Sequence, residues 1–373
     1  MGRRYSIDFA MITAAGNQTR YEDLQRFVPA DREVQARWYE LNTYMTAGRA
    51  DHLPKFARNK FRNATNISRL ALRTKVDATV IHGYETYLHY AAIPILLRRE
   101  TVMVNNYDGT YRGDGTFGDG VQAPGPGVRG KLAKLALDKT DLFVPWSRFT
   151  ADRTAAVYPE AVDRTVVIHP GLDLTRWKRR HTSPSNEGVR LLFVGGDFIR
   201  KGGDLLLPAI KAAHVDNWSL DVVTSVDTIP TDILTILQES NNVNLHFGVK
   251  PNTQKLQELY AAVDIFVLPT RLDLSSLATL EAMATGVPVI VSAIGGIPEI
   301  AENECTALTT TPGDIGALAN AIRRISNDHA LRNRLAEQAR ARVEQRFDAD
   351  KNTVQLLSEV KKLIESHRRT PRV

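Results

Sequence analysis

The sequence predicts an α/β protein of two domains, each an open, doubly wound parallel sheet with helices on both faces, the pair facing a cleft. Three observations carry that prediction. Short apolar, β-branched runs alternate with helical patterns along the whole chain. At 373 residues, 43% of them hydrophobic, the chain exceeds one ordinary domain and can fill two cores. Between the halves, residues 175–188 (TRWKRRHTSPSNEG) are polar and charged and include Pro184, as linkers are. The expected division is therefore 1–174, a linker at 175–188, a second domain over 189–350, and a last helix, 351–373, crossing back to the first domain.

In chain order, the first half has strand-like runs at 6–13, 33–39, 78–82, 101–106, 142–145 and 165–168. The second has them at 189–194, 219–224, 243–247, 264–268, 288–292 and 307–309, and from about His329 the pattern becomes long helices. The opening MGRRYSIDFAMIT carries Asp8 within a short apolar stretch, so it reads as a first strand rather than a signal peptide. No run of 18 apolar residues suggests a transmembrane helix. Cys305 is the one cysteine, which excludes an intramolecular disulfide and a Cys-based zinc site and makes a reduced, cytoplasmic setting the expectation.

Charge is uneven. Residues 1–180 hold 28 Lys and Arg against 19 Asp and Glu, and residues 181–373 hold 20 against 23, so the net +6 comes from the first half. An anionic partner for that half follows. Its densest stretch, 49–75, has eight Lys or Arg, among them Arg58, Lys60 and Arg62, against Asp51, with Leu53, Phe56, Ala57, Phe61 and Ala64 at near-helical spacing. Such a segment either packs its aromatics on the first sheet or lies on an anionic membrane surface at the inner face. Nucleic acid is not expected, since no RNA- or DNA-binding motif accompanies the charge.

A GxGxxG pattern at Gly113, Gly115 and Gly118 continues into a Gly/Pro-rich run instead of a helix, so it lacks the context of a dinucleotide site and reads as a loop. Asp114 and Asp119 in that loop have no ligand-like company, and no metal site is expected.

The chemistry concentrates in the second half. In LDLSSLATLEAMATGVPVIVSAIGGIPE, residues 272–299, only Glu281 is charged inside an apolar run. The stretch reads as a loop with Asp273, a helix capped by Ser275 or Ser276, Gly286 as its stop, and a strand. The free N–H groups of Ser275, Ser276 and Leu277 and the helix dipole would favour a phosphate. One reading of Glu281 is a solvent-facing acid; the other is a carboxylate whose two oxygens accept hydrogen bonds from the hydroxyls of a vicinal diol. Upstream, the strand 189–194 runs into Gly195, Gly196, Arg200, Lys201, Gly202 and Gly203, a tight loop with two cations suited to a pyrophosphate leaving group.

Together these residues resemble the retaining GT-B glycosyltransferases of family 4 (glycosyl transferases group 1), with two Rossmann-like domains. The carriers are Phe193-Val194-Gly195, Lys201-Gly202, Asp273 and Glu281 with seven residues between, AMATGVPVI, and Gly295-Gly296-Ile297-Pro298-Glu299. Ile168-His169-Pro170-Gly171-Leu172-Asp173 is similar to the family's domain-crossing Pro-Gly-Val-Asp. The resemblance covers about residues 140–310. It implies that Glu281 binds the ribose, Asp273 the donor sugar, and Lys201 with Arg200 the diphosphate. Gly196 stands where the family has an Arg, and Arg200 is the substitute. Asp108 stands near the family's sugar-facing histidine, with Tyr107 and His82 as further candidates. Gly16, past the first strand, counts among the substrate-binding candidates with Gly195 and Gly196.

The implied enzyme is a retaining, NDP-sugar-dependent hexosyltransferase of glycan or glycolipid biosynthesis. Its donor is a UDP-sugar ahead of a GDP-sugar, no separate cofactor is expected, and its acceptor is a sugar or a lipid-linked or phosphorylated group. The alternatives are a catalytically silent sugar-nucleotide binding or scaffold protein, and a GT-B epimerase or phosphorylase.

Overall fold

The computed structural model describes residues 4–12, 17–41, 76–82, 101–109, 127–180 and 188–369. Gly16, the loop with Gly113, Gly115 and Gly118, and the basic segment 49–75 lie outside the described residues. The chain forms two compact units: Met1–Pro170 with Ala349–Val373, and Gly171–Asp348.

The first unit holds β1 (Tyr5–Ile12), β2 (Val34–Leu41), β3 (Ala78–His82), β4 (Val102–Tyr107) and β5 (Leu142–Pro145). All pair in parallel, in the order β2-β1-β3-β4-β5. β3, β4 and β5 are buried throughout, as parallel strands covered on both faces must be. Alternate residues share a face. Tyr5, Ile7, Phe9, Val80, Val104 and Val144 pack with Leu356, Leu357, Val360 and Ile364 of the final helix, Ala349–Arg369. Those four aliphatic side chains contribute roughly 1.5–3 kcal/mol each by leaving water. At the helix edge Lys361 pairs with Asp31 at 2.6 Å and Glu33 at 2.9 Å, and Arg368 pairs with Asp77 at 2.9 Å.

The second unit holds β6 (Val189–Val194), β7 (Trp218–Thr224), β8 (Val243–Phe247), β9 (Ile265–Leu268), β10 (Val289–Ser292) and β11 (Leu308–Thr310). Again every pair is parallel, in the order β11-β10-β9-β6-β7-β8. The order reverses between β6 and β9. Leu191 lies beside Ile265 and Leu192 beside Phe266, so the loops leaving the carboxyl ends of these two strands emerge side by side. In open parallel sheets that reversal is where ligands bind.

Two expectations need correction. Residues 165–168 form no strand: Thr165 makes a single bridge to Phe143, and Val166 and Ile168 donate backbone hydrogen bonds to Phe143 and Pro145. The segment follows β5 without building a ladder. Residues 175–180 are no free linker either. Trp177 is 1% exposed within the second core, and Arg180 donates its backbone N–H to Thr285. A large aromatic ring buried there outweighs the polar composition around it. Among the described residues no helix is long and apolar enough to cross a membrane.

Candidate functional site in the second unit

The loop after β6 spans Gly195 to Gly202 before a short 3₁₀ turn, Gly203–Leu205, leads into the helix Leu206–Ala213. The loop after β9 spans Pro269 to Ser276 before the helix Leu277–Thr285. Backbone contacts join them. Arg271 donates its N–H to the Arg200 carbonyl at 2.9 Å. Gly202 has φ +78°, and a Cβ there would stand 2.1 Å from the Pro269 carbonyl oxygen. On the other side, Gly295 has φ +58°, and its Cβ would stand 1.9 Å from the Asp273 carbonyl oxygen. Only glycine permits both approaches, so the Asp273 loop is held between two glycine-lined backbones.

The side chains complete the junction. Lys201 Nζ donates to Asp273 Oδ2 across the two loops, with both side chains largely buried. Arg200 pairs with Asp197 at 3.0 Å and donates from Nη1 to the Leu272 carbonyl at 3.0 Å. Lys201, Arg200 and Asp273 are thus brought together, as one ionic patch at the sheet reversal. Gly195 sits behind it: its N–H goes to the Val223 carbonyl, and its missing side chain leaves room for Lys201, whose Cβ would be 2.9 Å from a Gly195 Cβ. Gly196 is exposed, and a Cβ there would have nothing within 4 Å, so it contributes backbone only.

Ser276 is the cap of the helix Leu277–Thr285. Its Oγ accepts from the Thr279 N–H at 3.2 Å and from Thr279 Oγ1 at 2.8 Å. Ser275 is half-buried in the loop, and Leu277 opens the helix, so its N–H has no acceptor within the helix. Glu281 is only 4% exposed, which removes the solvent-facing reading. Its Oε2 accepts from the Tyr260 hydroxyl at 3.0 Å, and the same hydroxyl lies 3.1 Å from the Ala278 carbonyl. Burial, then the Glu281 carboxylate, push the Tyr260 hydroxyl well above its ordinary pKa, so it stays a donor.

Two contributors escaped the sequence reading. Tyr260 looks like one more core aromatic of the helix Gln254–Ala262, and nothing local ties it to Glu281. Arg271 grips Asp204 through two hydrogen bonds, 2.6 and 2.7 Å, and the Ile199 carbonyl at 2.6 Å, bracing the two loops. A cation just past a strand end was its only signal.

The first-unit candidates have settings of their own. Asp108 follows β4, half-buried, with its carbonyl accepting from Thr150 Oγ1 at 2.8 Å. Tyr107 is buried, its hydroxyl bonded to Thr154 Oγ1 at 2.7 Å. His82 is fully buried and stacked on Trp146 at 5.0 Å. Its Nδ1 meets Asn106 Oδ1 at 3.1 Å, and Trp146 Nε1 donates to the same oxygen at 3.1 Å. Burial lowers the His82 pKa to about 4, so the ring is neutral at pH 7. On its other side, Nε2 lies 2.9 Å from Asn17 Oδ1.

Two parallel-sheet α/β units with these strand orders make a GT-B fold, and solved structures agree. Sucrose-phosphate synthase from Thermosynechococcus elongatus superposes with TM-score 0.75 at 19% identity, covering 97% of this chain and 100% of that one. HepE of Anabaena, solved in complex with UDP, gives 0.70 at 16%, covering 96% and 100%. The family model described as Glycosyl transferases group 1 matches residues 175–342, which contain the whole ionic patch and Glu281. Among curated relatives, glycogen synthase of Mycobacterium tuberculosis is 25% identical over 274 residues, 72% of this chain. D-inositol 3-phosphate glycosyltransferase 1 of Catenulispora acidiphila is 26% identical over 279 residues, 69% of this chain and 66% of the relative. The match spans 65% of the length of that glycogen synthase.

Proposed function

We propose that this chain is a family 4 glycosyltransferase that moves a sugar from a nucleotide-diphosphate sugar to an acceptor with retention of anomeric configuration. The observation that carries this reading is the Lys201–Asp273 pair at the strand-order reversal of the second sheet. The group 1 match over the same residues supports it, as do neighbours solved with UDP or UDP-glucose. Donor and metal use follow the sequence expectation: a UDP-sugar, no separate cofactor and no resident metal.

The chemistry follows from the charges. Breaking the anomeric C–O bond loads negative charge on the departing diphosphate. Lys201 and Arg200 meet that charge as it develops, where charge stabilisation accelerates most. A diphosphate arriving at Lys201 competes with Asp273, and the carboxylate so released accepts from donor-sugar hydroxyls. Glu281, oriented by Tyr260, takes the ribose diol. The leaving phosphate oxygen accepts the acceptor's proton while the acceptor oxygen attacks the same face, so no carboxylate nucleophile is needed. The first unit supplies acceptor binding, and Asp108 is its candidate catalytic group. A glycan or glycolipid pathway, with a lipid-linked or phosphorylated acceptor, suits its basic charge.

Calorimetric titration with UDP-, GDP- and ADP-sugars is the first test; no binding of any of them would end the proposal. Lys201→Ala should then lower turnover about 10²- to 10³-fold, the scale for one lost transition-state donor. Donor affinity should fall much less. Equal losses in turnover and affinity would remove leaving-group stabilisation from the mechanism.

A further inference from the structure

Arg20 is a costly residue that the transfer chemistry does not use. It lies on the helix Asn17–Phe27, which follows β1 in the first unit. It is 0% exposed, and its Nε, Nη1 and Nη2 have no hydrogen-bond partner among the described residues. Burial lowers its pKa to about 10 and Asp23 works against that, so the guanidinium is a cation at neutral pH. An ionised fork of five N–H donors, buried beside the Asp23 charge but without a hydrogen-bond acceptor among the described residues, opposes folding. Such a cost persists where a site needs it.

The surroundings favour an anion. Arg20 sits within electrostatic reach of His82, whose proton affinity its charge depresses. His82 in turn contacts Asn17, the first residue of the Arg20 helix, at 2.9 Å. The helix start adds its partial positive charge on the same side. His82 and Asn106 stand opposite each other at the carboxyl ends of β3 and β4, and the strand order reverses between β1 and β3. This is the position in the first sheet that the ionic patch occupies in the second.

We propose that Arg20 anchors a phosphate group of the acceptor, in a site of the first unit separate from the diphosphate site at Lys201. A phosphate monoester suits it better than a carboxylate. The guanidinium fork takes two oxygens side by side, and a third oxygen and second negative charge remain for the helix start. The assignment of this phosphate to an acceptor rests on the transfer reading above; the binding itself does not.

Thermal unfolding of wild type and Arg20→Met tests it, in inorganic phosphate, a hexose 6-phosphate or UDP, each against chloride at matched ionic strength. Phosphate and the hexose phosphate should raise the wild-type Tm. Arg20→Met should melt at or above the unliganded wild type, lose both responses and keep the UDP response. Arg20→Lys, which retains charge without the fork, should bind the hexose phosphate at least ~10-fold more weakly, the scale of one lost charged hydrogen bond. A lower unliganded Tm or failure to fold in Arg20→Met would make the guanidinium structural and overturn the proposal. An undiminished phosphate response in that variant, or loss of the UDP response alone, would overturn it as well. Should no nucleotide sugar bind while the phosphate responses behave as stated, the transfer reading falls and the anion site stands.

Discussion

Tyr260 has one proton and two acceptors, the Glu281 carboxylate and the Ala278 carbonyl. Its hydrogen bond to Glu281 fixes how that carboxylate is presented. Glu281→Gln should weaken nucleotide-sugar binding by about 1–3 kcal/mol, the loss of a charged hydrogen bond. Tyr260→Phe should weaken it by ~0.5–1.5 kcal/mol through orientation alone. Calorimetry on both variants checks this; wild-type affinity in Glu281→Gln would remove the ribose role. Glu281 was legible in the sequence because a lone charge in an apolar run is conspicuous. Tyr260 was not, since its hydroxyl finds Glu281 only once the helices pack. His82 carries a second residue-scale consequence. Its pKa is 6.5 in the unfolded chain and about 4 when folded, so between those values the unfolded state binds the extra proton. Its contribution is complete above pH 6.5 and is lost as pH falls toward 4, by about 3 kcal/mol in all. Urea unfolding from pH 7 to 4.5 should show that loss in wild type and a flatter profile in His82→Gln; identical profiles would contradict it.

At the scale of elements, strands buried on both faces, such as β9 and β10, were legible because they are written as apolar, β-branched runs. The runs 189–194 and 243–247 match β6 and β8 residue for residue, as 142–145 matches β5. Residues 165–168 have the same composition but only one bridge, because a ladder also needs a partner in register. The bracing of the two site loops was only half legible. Glycines signalled tight turns, but not that Gly202 backs onto Pro269 or Gly295 onto Asp273. Gly202→Ala should therefore destabilise the protein by more than ~1 kcal/mol, because φ is positive and a carbonyl blocks the Cβ. Gly196→Ala, with nothing within 4 Å, is the control and should be close to neutral. Chemical denaturation of the pair measures this, and equal stabilities would mean the loops accommodate a side chain.

Across the whole molecule, the first unit is assembled from both ends of the described chain. Leu356, Leu357, Val360 and Ile364 belong to the same core as Ile7 and Phe9. A chain ending at Asp348 should lose the first unit's unfolding transition, while the second unit, Gly171–Asp348, still melts cooperatively in calorimetry. Retention of both transitions would show that the helix is dispensable. The sequence signalled a long final helix and its return, but the packing that makes it part of a core comes from side chains meeting across more than 340 positions.

The same arrangement sets a clock during synthesis. The first unit's strands leave the ribosome before the second unit is made, yet their hydrophobic face waits for residues made after it. Roughly 200 residues intervene, which at 5–20 residues per second is about 10–40 s. During that interval the second unit, contiguous in the chain, can finish folding. Order of birth and order of completion are therefore reversed, and the nascent first unit keeps an apolar sheet face uncovered for that interval.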